Sequence, residues 1–168
     1  MIIKSTSRKS NNYRQLITYL NSRVNISEVP WILARNHNCF PIESDKIIKS
    51  FMVNDKLRNK RKNGVAIYHD IISLPAQYKN VCLEKPWLLE ELVRSYIEKR
   101  SSNALSYALP HFHQNDNPHL HIVFSANEKE SSKSVRISKR EFKELKKEII
   151  LEFEMLFLEK KVQKQINI

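Results

Sequence analysis

The chain has 168 residues, 41% of them apolar, which suffices for one domain with its own core and excludes a disordered tail. Its 29 Lys and Arg against 18 Asp and Glu leave a net charge of +11, which favours a polyanionic partner because each cation set on a phosphate releases condensed counterions. One glycine in the whole chain excludes the Gly-rich phosphate loops of the common nucleotide-hydrolysing and dinucleotide-binding folds, and no apolar run approaches the roughly 20 residues that span a bilayer.

In chain order, Ile2 to Thr6 predicts a short first strand. Ser10 or Asn11 then caps a helix to about Asn21, with Tyr13, Leu16, Ile17 and Leu20 at helical spacing. Pro30-Trp31-Ile32-Leu33 reads as a second extended piece. ESDK opens a helix carrying Ile47, Ile48, Phe51 and Met52, which runs out in the basic stretch from Lys56 to Lys62. Asn63-Gly64 is a turn signal, and VAIYHDIISL behind it is rich in β-branched and aromatic residues, as strands are. Pro86 suits the first turn of a helix with the stripe Trp87, Leu88, Leu92, Val93, Tyr96 and Ile97. Two strand-like runs follow, Ala104 to Phe112 and Leu120 to Ala126, joined by the polar QNDNP, and Val135 to Ile137 predicts a further short strand. Ser138 and Glu141 form a capping box for a last helix with Phe142, Leu145, Ile149, Phe153 and Leu156. This order predicts a single α+β domain over 1–168: a central antiparallel sheet with helices packed mainly on one face.

The unusual stretch is HFHQNDNPHLHIVF. Four of the six histidines, His111, His113, His119 and His121, fall within eleven residues. Residues two apart on a strand share a face, so His119 and His121 point together, as do His111 and His113. If the QNDNP link turns the chain back, a histidine from each strand meets on adjacent strands. Three imidazoles can then hold one divalent ion and leave positions open for a substrate oxygen. A purely structural zinc site fits less well, since such sites are usually Cys-rich and closed. Here Cys39 and Cys82 lie far apart without CxxC spacing, as expected of reduced thiols in a cytoplasm. The start Met1-Ile2-Ile3-Lys4 lacks the apolar region of a signal peptide, which gives the same expectation.

His111, eight residues before His119, with Pro118-His119-Leu120-His121 entering a strand, resembles the third motif of conjugative and mobilisation relaxases. These are members of the HUH (histidine–hydrophobe–histidine) superfamily of single-strand endonucleases. MIIKSTSRKSNNYRQLITYLNS is similar to the relaxase first motif, a strand leading to a helix with the nucleophilic tyrosine. VAIYHDIISL resembles the middle strand that supplies an acidic or histidine residue, and SANE after the HUH strand is similar too. The resemblance covers about residues 1–158. It departs from the family where many relaxases have an HxD triplet: this chain has His111-Phe112-His113, so the upstream ligand is His111 or His113. Relaxases are also commonly longer, so the chain is expected to be a minimal or truncated catalytic domain.

The resemblance implies Tyr19 as nucleophile, with Tyr13 as the alternative. It implies His111, His119 and His121 as ligands of Mn²⁺ or Mg²⁺, with Zn²⁺, Ni²⁺ or Co²⁺ also suited to the donors. Tyr19 falls off the apolar stripe of its helix, as a reactive side chain should. His69 and Asp70 are neighbours on a strand and face opposite ways, so only one reaches the metal face; Asp70 is expected as the base or as the partner orienting a ligand, with His69 as the alternate. Arg8, Lys9 and Arg14 near the nucleophile, and Arg58, Lys60, Arg61 and Lys62 in the basic run, are expected on phosphates. The implied reaction is nicking and religation of one DNA strand at an origin of transfer through a 5′-phosphotyrosyl link. The substrate would be single-stranded or hairpin DNA, with relaxosome accessory proteins and a type IV secretion coupling protein as partners and no membrane insertion. HUH replication initiators and transposases carry their tyrosine after the HUH motif, whereas the last tyrosine here is Tyr107. A basic DNA-binding module without catalysis is the reading from outside the superfamily.

Overall fold

The structure, a computed structural model, describes residues 1–24, 31–38, 42–59, 64–112 and 117–166, with side chains up to Phe157. Its strands are β1 (Ile2–Arg8), β2 (Leu33–Arg35), β3 (Ile67–Ser73), β4 (Ala104–His111) and β5 (His119–Glu128). They form one sheet in the order β1-β3-β5-β4-β2, with every neighbouring pair antiparallel. The helices are α1 (Tyr13–Ser22), α2 (Ser44–Asp55), α3 (Lys79–Glu84), α4 (Trp87–Ser101) and α5 (Lys139–Ile166), and none among the described residues is long and apolar enough to cross a membrane.

The α+β architecture and the antiparallel sheet agree with the sequence pattern, but the helices are divided between the two faces instead of gathering mainly on one. The reason lies in the central strands. On β5, Leu120, Ile122, Phe124 and Ala126 alternate with His119, His121, Val123 and Ser125, and both sets are largely covered. The first set meets Leu88, Leu92 and Tyr96 of α4 and Leu145, Ile149 and Phe153 of α5 in the larger core. On the other face Leu105, Tyr107 and Leu109 of β4 join Val123 and Ile67 in a second core, closed by Tyr13, Leu16, Ile17 and Leu20 of α1 and Ile47, Ile48 and Phe51 of α2. A sheet with two apolar faces needs two helical layers.

A local side-chain signal sets the start of α5, whereas α1, α2, α3 and α4 begin without a side-chain capping bond. In α5 the Ser138 hydroxyl accepts from Glu141 N–H at 3.1 Å and the Glu141 carboxylate accepts from Ser138 N–H at 2.6 Å, the reciprocal box its sequence predicts. Val135 donates to the Ala126 carbonyl and Ser134 bridges Asn127, so the expected short strand is reduced to a single bridge. Trp87 leaves the α4 stripe, exposed in its first turn, while Leu89 takes a core position. Helix α3 carries no signal strong enough to predict it: six residues with Cys82 alone buried.

Candidate active site

Antiparallel pairing sets His111 directly opposite His119 and sets Leu109 and Ile71 on either side of His121. All three imidazoles therefore stand on the α1/α2 face. The His111 and His121 ring centroids are 4.4 Å apart and those of His119 and His121 6.3 Å. Each ring is held by a partner. His111 Nε2 meets the Leu20 carbonyl at 2.9 Å; a carbonyl only accepts, so Nε2 bears the proton of that bond. His121 Nδ1 meets His69 Nε2 at 3.0 Å, and His119 Nδ1 meets the Ser73 hydroxyl at 3.2 Å. Burial, with the Arg8 charge second and His111 third, lowers the His69 pKa to about 4, so that ring is neutral at physiological pH.

The bond to Leu20 ties the histidines to the last turns of α1, where Tyr19 sits. Tyr19 is 52% exposed and lines the histidine cavity, about 430 Å³ in volume, with Ile2 and Lys4 of β1, Ile71 and Ser73 of β3, Arg23 and the three histidines. The cavity opens where α1, packed against β4, β5 and the start of β3, leaves part of β1 and β3 uncovered. The Arg23 guanidinium lies 5.3 Å from the Tyr19 ring centroid, a cation–π approach.

Other expected residues are placed differently. Tyr13 is fully buried, stacked on Phe51 at 4.6 Å, and donates to the Ala66 carbonyl at 2.7 Å; desolvation raises its phenol above the ordinary value. Tyr68, Tyr96 and Tyr107 are buried too, and Tyr78 packs edge-on against Phe153 and Phe157. The expectation that Asp70 serves the site is corrected. Its side chain projects to the opposite face, where the Tyr96 hydroxyl donates to it at 2.8 Å and Arg100 Nε at 3.3 Å, beneath the rings of Tyr68 and Phe124. Asp70 is part of a buried ion pair in the larger core, and its neighbour His69 is the β3 residue that faces the histidines.

Arg8 ends β1 on the histidine face, near enough to act on His69 electrostatically, and Lys9 is exposed just beyond it. Arg14 pairs with Asp45 at 2.8 Å and Arg58 with Asp55 at 2.7 Å, so neither lines the histidine cavity. His113, Lys60, Arg61 and Lys62 lie outside the described residues. Lys4, Arg23 and Ser73 were not singled out from the sequence. Their signals were there: Lys4 shares the β1 alternation with Arg8, Arg23 stands one turn after Tyr19, and Ser73 lies two pairs from His69.

Among the described residues no three His, Cys, Asp or Glu side chains stand in a ready ligating array. The fit to a divalent ion is one of donor chemistry: three imidazoles on one cavity, each with a ring nitrogen oriented by a protein partner, as the hydrogen bond on the other ring nitrogen orients a metal-ligating histidine.

No curated protein sequence matches the chain. Several solved structures share its fold. One, described as "Molecular Basis of Vancomycin Resistance Transfer in Staphylococcus aureus", superposes with a TM-score of 0.60 at 15% identity, over 95% of this chain and 93% of that one. The MobM relaxase domain bound to 26-nucleotide pMV158 oriT DNA gives 0.58 at 14% identity, over 90% and 84%. The Mn-bound complex of the same domain with 22-nucleotide oriT DNA at pH 4.6 gives 0.62 at 14% identity over the same shares. Residues 25–154, most of the chain including the HUH strand, match the family described as "Relaxase: MobA/VirD2-like, nuclease domain", and the chain belongs to that family of DNA relaxases.

Proposed function

We propose that this chain is a single catalytic domain that cuts and rejoins one DNA strand at an origin of transfer, with Tyr19 as nucleophile and His111, His119 and His121 as the metal-binding residues. The observation that carries the reading is the shared cavity: of six tyrosines, Tyr19 is the one that lines it with the three histidines. The oriT DNA and Mn of the MobM complexes support the choice of substrate and ion.

The chemistry follows from the residues present. The Tyr19 phenol oxygen attacks the scissile phosphorus, an O–P bond forms, and the bond from phosphorus to the 3′ oxygen breaks. The phenol loses a proton and the departing 3′ oxygen gains one, leaving a 5′-phosphotyrosyl link and a free 3′-hydroxyl. The link stores the bond energy, so the reverse attack rejoins the strand. Arg23, over the Tyr19 ring, and Lys4 set two cations on the wall of the cavity that the phosphate would enter. His69 holds the His121 ring in a fixed orientation, and the Leu20 carbonyl does the same for His111. A divalent ion held by the three histidines would polarise a non-bridging phosphate oxygen and offset charge in the pentacoordinate transition state. An unpaired strand is the form of DNA whose phosphates can enter such a cavity, so the substrate is single-stranded or an extruded hairpin. The reaction places the protein in the cytoplasm with its DNA, where relaxosome proteins and a coupling protein would act on the product.

The test uses single-stranded oligonucleotides tiling the DNA beside the protein's own coding sequence, with Mn²⁺ or Mg²⁺. One oligonucleotide should form a covalent adduct stable on a denaturing gel. EDTA should abolish the adduct and added Mn²⁺ restore it, with thermal unfolding little changed. DNA binding without an adduct under any metal would leave only a basic binding module.

A further inference from the structure

A second cavity, about 530 Å³, lies at the far end of β3 from the histidines, where Tyr68 points to the opposite face of the sheet. Its lining includes Arg58, Lys133 and Arg136, Tyr68 and Ser134 with their hydroxyls, and Gly64, and no carboxylate lines it among the described residues. Asp55 takes Nε of Arg58 at 2.7 Å and fixes a side chain only 12% exposed, so its Nη groups are those a ligand would meet. Lys133 pairs with Glu128 at 2.8 Å but is 73% exposed; a surface pair of this kind contributes little and exchanges readily for another anion. No described carboxylate pairs with Arg136. Desolvation raises the Tyr68 phenol, which keeps it a proton donor. Gly64, the single glycine of the chain, has no Cβ to hold a backbone away from the rim.

The path between the cavities is also cationic. Lys4, Thr6 and Arg8 follow one another on the histidine face of β1, at a repeat of about 6.8 Å for alternate residues of a strand. Ala66 N–H donates to the Arg8 carbonyl at 2.7 Å, which brings that end of β1 beside the Gly64–Val65 rim. Ser73 at the first cavity and Tyr68 at the second are five residues apart on β3, or about 17 Å.

We propose that the cavity of Arg58, Lys133 and Arg136 is a second phosphodiester-binding site, which grips the backbone of the DNA substrate at a distance from the scissile phosphate, with Lys4 and Arg8 between. This rests on the strand-nicking reading above. Cations and hydroxyls around an open cavity fit phosphate oxygens and offer nothing that reads a base edge, so the site positions the strand without selecting its sequence.

Fluorescence anisotropy with wild type and the Lys133→Ala/Arg136→Ala double variant tests this. The probes are mixed-sequence single strands of about 6 and about 30 nucleotides, bracketing the site sizes of single-strand binders. For the long strand the variant should lose about tenfold in affinity at low salt. Its log–log salt slope should fall by about 1.4, since each lost single-strand contact removes about 0.7. For the short strand, bound at the histidine cavity, affinity and slope should be unchanged. Equal losses on both strands, or none on the long one, overturn the second site while leaving wild-type nicking intact. Absence of any adduct or DNA binding by wild type instead sinks the reading on which it rests. Inorganic phosphate at constant ionic strength is the control: if it protects the cavity lysine from acylation and the long strand does not, the site takes a small anion and the proposal fails.

Discussion

Tyr13 and Tyr19 share one helix, and removing the hydroxyl from each should have opposite consequences. Tyr13→Phe deletes a donor that satisfies the buried Ala66 carbonyl at 2.7 Å. The ring, stacked on Phe51, stays packed, so the cost is that of one lost buried hydrogen bond, about 1–2 kcal/mol. For a chain of this size that lowers Tm by roughly 2–8 °C. Tyr19 is half exposed, so Tyr19→Phe should change stability by less than about 0.5 kcal/mol. In the nicking assay the order inverts. Tyr19→Phe has no oxygen to bond to phosphorus and should form no covalent adduct, whereas Tyr13→Phe, assayed well below its Tm, should form adduct at nearly the wild-type rate. The measurements are the adduct band on a denaturing gel and thermal unfolding followed by circular dichroism. Adduct from Tyr19→Phe, or its loss in a fully folded Tyr13→Phe, would refute the assignment of the nucleophile.

Asp70→Asn leaves Arg100 charged and buried without its counter-charge, which should cost about 3–5 kcal/mol, yet the folded variant should nick normally per molecule; a well-folded, inactive variant would return Asp70 to the active site. Burial lowers the His37 pKa to about 4 from 6.5, so between those values the unfolded chain binds more protons than the native one and stability rises with pH. The contribution is present above pH 6.5 and is lost as pH falls towards 4, about 2 kcal/mol of it between pH 7 and pH 5. His37→Phe, which keeps an aromatic ring against Phe51, should lose that much less stability over the interval; urea midpoints at the two pH values measure it, and an unchanged difference counts against the burial of a neutral ring.

The sequence by itself determined the things that depend on local pattern. Period-two alternation put His119 and His121 on one side of a strand, the 3.6-residue stripe through Tyr13, Leu16, Ile17 and Leu20 left Tyr19 off the packed face of α1, and Ser138 and Glu141 fixed the start of α5. Only the tertiary structure decided what depends on which face of the sheet each helical layer covers. Alternation says that His69 and Asp70 face opposite ways but not which way is inward. That was settled when Tyr96 and Arg100 of α4 closed over Asp70 and left His69 beside His121. The same holds for Tyr13, whose stripe was visible although the carbonyl that engages its hydroxyl, 53 residues away, was not. Side-chain direction along an element is encoded in a few neighbouring residues, whereas the partner it meets is chosen by packing between segments far apart in the chain.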